Sequence, residues 1–278
     1  MAARKKVLNS FIFLFLAALV IAFLVPIFVV LMNSFKTKFS IVGTPFEFPT
    51  KETFVGFENY IYGIQTAGLL KAFFLSLFIT VASVVVIVVF CSMTAWYVTR
   101  VKTRATKIIY TLFIFSMIVP FQMVMYTMTY TVVAAHLNNP LGIVLVYLGF
   151  GAGMSVFMLS GFIKGVPIEV EEAALIDGCS PLQSFFLVVF PILKPTAITV
   201  AILNAMWIWN DFLLPYLILG KYKTLPVAIQ LTMQGAYGSI NWGGFMAMLI
   251  VAIIPIVIFY ISCQKYIIKG VIAGAVKG

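Results

Sequence analysis

The chain has 278 residues, of which 63% are hydrophobic, 15% aromatic and only 9% charged, and its mean hydropathy is +1.13. A soluble domain ordinarily carries about 25% charged residues, so this chain cannot coat a water-facing surface, and a soluble enzyme is excluded. The 19 glycines and 12 prolines are too scattered for a fibrous repeat or a disordered chain, which leaves a polytopic membrane protein. The net charge of +10 does not point to nucleic acid, because the 18 Lys and Arg residues sit in small groups between apolar runs, as juxtamembrane anchors do. Cys91, Cys179 and Cys263 form no C-x-x-C pair and read as free thiols, with no disulfide frame and no metal site.

A helical crossing needs about 20 apolar residues, and six runs qualify: Phe11 to Leu31, Ala72 to Val98, Ile108 to Tyr130, Leu141 to Ile163, Thr196 to Leu219, and Gly244 to Cys263. The expected fold is an all-α membrane protein of about six transmembrane helices. The first run follows Arg4, Lys5 and Lys6, is longer than a signal's apolar core and continues into Asn33-Ser34-Phe35-Lys36, so it reads as an uncleaved anchor. Pro26, Pro120 and Pro255 fall inside these runs and read as kinks. Gly149, Gly151 and Gly153 form a small-residue patch suited to close helix approach.

Orientation follows from the Lys and Arg count. One side of the membrane receives 12 of them, including Arg100, Lys102, Arg104, Lys107 and Lys164, and the other receives six. The richer side is expected to be cytoplasmic, which places both termini inside, in agreement with the parity of six spans. The outer segments are then Met32 to Lys71, a short turn around His136, and Gly220 to Gly243.

The inner segment Lys164 to Pro195 is too rich in helix signals to be a connector. Pro167 suits a first helical position. Glu169, Glu171 and Glu172 put negative charge at the positive end of a helix dipole, and Gly178 suits the left-handed residue that ends a helix. Ser180, Pro181 and Gln183 then spell a capping box for a second helix, which prolines 191 and 195 should stop near Pro191. Two short helices around a glycine elbow make a stiff knob. Its four acids, Glu169, Glu171, Glu172 and Asp177, should avoid an anionic lipid surface and prefer a basic protein partner.

These residues carry a resemblance. Glu172-Ala173-Ala174, three residues, then Gly178 is similar to the first half of the signature loop of ATP-binding-cassette importer permeases. After nine further residues come Val188, Val189, Phe190 and Pro191, where that signature has Ile-x-Leu-Pro, so Val and Phe are apolar departures. Trp209-Asn210-Asp211-Phe212-Leu213 with Pro215, the Asn59-Tyr60 pair, the Ala95-Tyr97-Arg100 stretch and the ending Gly270 to Gly278 resemble the carbohydrate branch, in particular the shorter maltose-type permease.

The resemblance implies a type I importer permease architecture: one transmembrane permease domain over residues 1–278, a cytoplasmic coupling loop at 164–195 and a cytoplasmic tail at 265–278. It implies residence in a bacterial-type cytoplasmic membrane and, as partners, a homologous second permease, two ATPase subunits and an extracytoplasmic sugar-binding protein, besides membrane lipid. Glu172, Ala173, Ala174, Gly178 and Pro191 would form the ATPase-coupling element. Gly274, Ala275, Val276, Lys277 and Gly278 would reach the ATPase, and Gly235, Tyr237 and Gly238 would dip into the binding protein's cleft. The implied function is alternating-access import of a carbohydrate, an oligosaccharide above all; glycerol phosphate is the alternative solute. No phosphate-binding loop is present, since Gly220-Lys221 is followed by Tyr222 and has Pro215 where the first glycine belongs. The chain is therefore expected to be no enzyme and to bind no cofactor itself, with ATP and Mg on the partner ATPase.

Two residue sets could line a pathway. Gln122, Tyr126 and Tyr130 recur every four residues, and Asn204, Trp207 and Asp211 share a helix face; amides and aromatic rings suit a sugar, and helix packing or contact with a partner permease is the competing and somewhat better explanation. A secondary transporter would want inverted repeats and ionisable residues at mid-membrane, and a membrane enzyme would want clustered His, Asp, Glu or Cys. The one histidine, His136, sits in an outer turn and satisfies neither.

Overall fold

The computed structural model describes residues 2–65, 68–233 and 240–275. Among these, thirteen α-helices and one π-helical stretch follow one another, and the only β feature is an isolated bridge between Lys36 and Phe54. The helices are α1 (Ala2–Asn33), α2 (Lys38–Gly43), α3 (Glu58–Gln65), α4 (Leu69–Arg100), α5 (Arg104–Ile118), α6 (Phe121–Ala134), α7 (Gly142–Ile163), α8 (Glu169–Ile176), α9 (Pro181–Ser184), α10 (Phe190–Asn210), α11 (Leu213–Ile218), α12 (Leu225–Met233) and α13 (Trp242–Ala275), with the π segment at Phe185–Val189. Five helices are long and apolar enough to cross a membrane: α1, α4, α7, the continuous Pro181–Asn210 stretch and α13. The bent pair α5 and α6 makes six when counted as one crossing.

Two expected spans take a different form. The run Ile108 to Tyr130 is not one helix with a kink: α5 and α6 meet at 109°. The cause is Pro120, whose ring drives Val119 out of the helical region to φ −75°, ψ 114°, so α5 stops and α6 restarts. Conversely, no helix ends at Pro191. The helix that begins at Pro181 runs through the π stretch, Pro191 and Pro195 to Asn210. The wide π turn immediately before Pro191 gives room to the pyrrolidine ring that would otherwise strike the carbonyl four residues back. The expected span Thr196 to Leu219 accordingly breaks at Asp211, after which α11 stands alone.

The chain forms two compact units. The first comprises residues 1–71 and 228–255, and the segment that follows α1 is tied by side chains reaching backbone carbonyls. Asn59 Nδ2 donates to the carbonyls of Ser34 and Lys36 at 2.8 and 3.0 Å, and the Ser34 and Tyr60 hydroxyls share a hydrogen bond of 2.7 Å. The Lys36 ammonium is buried and donates to the Thr44 carbonyl at 2.8 Å. Burial pulls its pKa below the ordinary lysine value, against the opposing charge of Glu47.

The second unit comprises residues 72–227 and 256–278. Its core gathers Ile87, Tyr147, Val156, Leu159, Phe185, Val189, Leu193 and Val200, all from α4, α7, the π segment and α10. The central helix, α7, has 56% of its most apolar stretch buried. Its glycines do what small residues are expected to do, at two positions of three. A Cβ at Gly151 would stand 2.7 Å from Asn204 Oδ1, and one at Gly153 would stand 2.7 Å from the Phe113 carbonyl oxygen, whereas at Gly149 it meets nothing. His136 closes α6 at φ +56°, with the Leu137 N–H donating to the Val132 carbonyl as in a left-handed helix cap.

Gly153→Ala must push α5 from α7 because the obstacle is backbone. It is expected to destabilise the detergent-solubilised chain by about 1–3 kcal/mol, read as a lowered thermal midpoint, whereas Gly149→Ala leaves the midpoint in place.

Candidate functional site

The segment between α7 and α10 builds the knob from local signals. Glu169, Glu171 and Glu172 occupy the first turn of α8, where the dipole favours them. Pro167 stands one residue before the N-cap, Ile168, rather than at the first helical position. At the other end Gly178 takes φ +86°. The Cys179 N–H donates to the Ala174 carbonyl at 3.0 Å and the Gly178 N–H to the Leu175 carbonyl at 3.1 Å, the two bonds of a Schellman motif. The capping box follows directly: the Gln183 side chain accepts from the Ser180 N–H at 2.8 Å, and the Ser180 hydroxyl accepts from the Gln183 N–H at 3.4 Å. The elbow is thus fixed by four hydrogen bonds in six residues rather than left to a loose loop.

The faces of α8 divide sharply. Glu169, Glu172, Ala173 and Asp177 face outward together with Leu175 and Ile176, the last of them 86% exposed. Leu182, on α9, extends this apolar surface. Ala174 and Glu171 turn inward. Pro191 is exposed and lies where the π segment gives way to α10. The outward surface is therefore both acidic and apolar, and one of the four acids does not belong to it.

That acid, Glu171, is 6% exposed and clamped by α4. Arg100 Nε and Nη2 approach its Oε1 at 2.8 and 2.7 Å, and Trp96 Nε1 donates to Oε2 at 2.8 Å. Arg100 Nη2 also donates to the Val166 carbonyl at 2.9 Å, ahead of α8. Both carboxylate oxygens and three guanidinium and indole donors are engaged, which is the arrangement in which a buried pair is strong. Trp96 in turn packs on Phe185 of the π segment, ring centroids 5.3 Å apart. One cluster therefore fastens α8 to α4 and to the root of α10. Sequence reasoning missed it because Arg100 and Glu171 are 71 residues apart; the only hint was an arginine and an acid in two segments expected on one side of the membrane.

The two sets of pathway candidates fare differently. Gln122, Tyr126 and Tyr130 lie along one exposed face of α6, and each tyrosine is 78% exposed. Asn204 is buried, its Nδ2 donating to Ser155 Oγ at 3.1 Å and to the Val200 carbonyl at 2.9 Å, so it joins α10 to α7. The Tyr147 hydroxyl donates to Asp211 Oδ2 at 3.0 Å, while Asp211 Oδ1 accepts from the N–H groups of Leu213 and Leu214. Asp211 thereby ends α10, starts α11 and anchors both to α7. Trp207 packs edge-on against Tyr147 and keeps 41% of its surface exposed. Gly274 and Ala275 are the last residues of α13; Val276, Lys277, Gly278, Gly235, Tyr237 and Gly238 lie outside the described residues. Among the described residues no three His, Cys, Asp or Glu side chains gather as metal ligands.

Glu171→Gln leaves the Arg100 guanidinium facing a neutral amide in a partly buried site. The expected loss is at the lower end of the about 3–5 kcal/mol typical of a broken buried pair, read as a lower thermal midpoint and faster proteolysis within 164–180. Glu172→Gln, on the outward face, is expected to change neither.

Residues 87–273 match the family described as "Binding-protein-dependent transport system inner membrane component". The chain is 39% identical to the probable starch degradation products transport system permease protein AmyC of Thermoanaerobacterium thermosulfurigenes, with 99% of each chain covered. It is 37% identical to the multiple sugar-binding transport system permease protein MsmG of Streptococcus mutans, covering 92% of this chain and 93% of that one. Its identity to the melibiose/raffinose/stachyose import permease protein MelC of Bacillus subtilis is 34%, covering 100% and 99%. The fold is shared with a chain of a bacterial ABC transporter involved in import of the acidic polysaccharide alginate, at TM-score 0.80, 20% identity, and coverage of 94% and 96%. The chain belongs to the family of inner-membrane components of binding-protein-dependent transport systems.

Proposed function

We propose that this chain is one half of the translocation channel of an ATP-driven carbohydrate importer, and that the knob formed by α8 and α9 is the part through which a separate ATPase moves it. The solute class is supported by the relatives, whose names specify starch degradation products, multiple sugars and the melibiose–raffinose–stachyose group. The observation that carries the mechanical role is the knob itself. Its outward face offers acids and large apolar side chains to a protein cleft, and its inward face is clamped to α4 by Glu171.

The mechanism follows from stiffness. An element that is to pass on a rigid-body displacement must not dissipate it by bending. The Schellman turn and capping box resist bending at the elbow, and the Arg100–Glu171–Trp96 cluster resists sliding at the base. ATPase closure pushing on Glu172, Ala173 and Gly178 would then move α4 and α10 together, opening the cavity outward; hydrolysis would let it return. The excess of Lys and Arg at this end supports its placement in the cytoplasm.

A second permease is the natural cover for the flanks that this chain leaves bare. None of the most apolar stretch of α1 is buried in the protein, and the Gln122, Tyr126 and Tyr130 face of α6 is open. That face, with Trp207, offers amide and aromatic contacts to a sugar, while Asn204 and Asp211 hold the helices that present it. The residues 235, 237 and 238 would serve the binding protein, and the tail from Gly274 to Gly278 the ATPase.

Gly178→Pro forbids the left-handed backbone at the elbow, since proline is fixed near φ −65°. In the assembled transporter it is expected to leave membrane insertion intact and to lower both uptake and binding-protein-stimulated ATP hydrolysis at least about tenfold, a loss of about 1.4 kcal/mol of coupling or more. Uptake at the parental rate contradicts the proposed role.

A further inference from the structure

A second feature lies at the same end of the second unit. The ends of α4, α5 and α7 enclose an open cavity of about 630 Å³ lined by Thr99, Lys102, Arg104, Lys107, Ser160 and Lys164, with Tyr110 and Val98 as its apolar part. Four cations converge on it. Among the described residues the one ion pair is Arg100 with Glu171, so none of the four is neutralised by a carboxylate. Two hydroxyl oxygens of the lining, Thr99 Oγ1 and Ser160 Oγ, are buried and meet no hydrogen-bond partner, and Ser160 is fully buried. A buried hydroxyl without a partner is costly and uncommon. The start of α5, whose Thr106 N–H is capped by the Thr103 hydroxyl, adds the positive end of a 15-residue helix dipole with no acid in its first turn.

We propose that this cavity is a site for the phosphate-bearing headgroup of an anionic phospholipid of the inner leaflet. The chemistry asked for is an anion with several acceptor oxygens: lysines and an arginine for its charge, and Ser160 and Thr99 as donors within the protein. A free phosphate ion would satisfy the same groups, but the cavity is far larger than that ion, and it lies where three apolar helices leave the hydrocarbon. A headgroup with its glycerol backbone fills more of it, and Tyr110 and Val98 offer contact to the start of the acyl chains. Basic recesses between transmembrane helices on the cytoplasmic side are suited to such headgroups. Lys164 already lies over the Tyr110 ring at 5.5 Å, so its ammonium is held at the cavity rim. The site stands apart from the knob's outward face and assigns work to cations that coupling does not use. It rests on the inner-face placement proposed above.

The test is native mass spectrometry of the purified full chain, titrated with phosphatidylglycerol or phosphatidylcholine. The parent chain is expected to retain one phosphatidylglycerol at least about ten times more strongly than phosphatidylcholine. The triple variant Lys102→Gln, Lys107→Gln, Lys164→Gln is expected to lose that preference, the corresponding Lys→Arg triple to keep it, and Lys221→Gln with Lys223→Gln, far along the chain, to leave it unchanged. Equal retention by the parent and the Lys→Gln triple overturns the proposal, as does displacement of the lipid by millimolar inorganic phosphate, which would mark a free-anion site. Loss of ATPase capture in the Lys→Gln triple with lipid retention unchanged also overturns it, by making the patch a protein contact. Sided labelling of Lys102→Cys in vesicles separately reports the orientation, so an error there is distinguishable from an error about the site.

Discussion

A single carboxylate, Glu171, holds the α4–α8 end of the second unit together. Its two oxygens receive an arginine and an indole from the last turns of α4, and the same arginine reaches back to the carbonyl of Val166. Desolvating such a pair is expensive, and the expense is offset only when every lone pair and donor is used. Here the donors converge from one helix on an acid of another, and the indole continues the contact into Phe185. Charge, hydrogen bonding and aromatic packing thus act at one point, which ties α4, α8 and the base of α10 together.

Two helix breaks complete this mechanical picture. Between α5 and α6 the chain turns sharply because Pro120 denies Val119 a helical conformation. Between α10 and α11 it turns because Asp211 offers the next backbone N–H groups a better acceptor than a continuing helix would, with Tyr147 fixing the carboxylate from α7. Where a break would have weakened the structure, it is avoided. The π turn carries the long helix past Pro191, so it runs unbroken from Pro181 to Asn210.

Much of this was legible in the residues. Local signals were read correctly where they act locally: the glycine elbow at Gly178, the Ser180–Gln183 box, the acids at the start of α8 and the small residues at 151 and 153. What failed was proline. Pro120 reads as a kink and is a corner; Pro191 reads as a stop and is passed, because the outcome depends on whether the preceding turn can widen, and no single residue states that. The Arg100–Glu171 clamp and the Tyr147–Asp211 bond were illegible for another reason. They join residues 71 and 64 positions apart, and in a chain with few charges each acid looked available for a partner outside the chain. The resemblance points to Glu172 as the acid offered to a partner; the fold shows that Glu172 is exposed and its neighbour Glu171 buried.

The proposed coupling requires α8 and α4 to move as one body when the ATPase closes. The direct measurement is a spin-label distance between Tyr97→Cys on α4 and Leu175→Cys on α8, both about half-exposed in the chain. It is made on the assembled transporter in a background without Cys91, Cys179 and Cys263, with and without ATP. The account predicts that this distance changes by less than about 2 Å, the scale of small helix shifts, across the cycle. A change of about 5 Å, a one-turn slip of one element past the other, would contradict it.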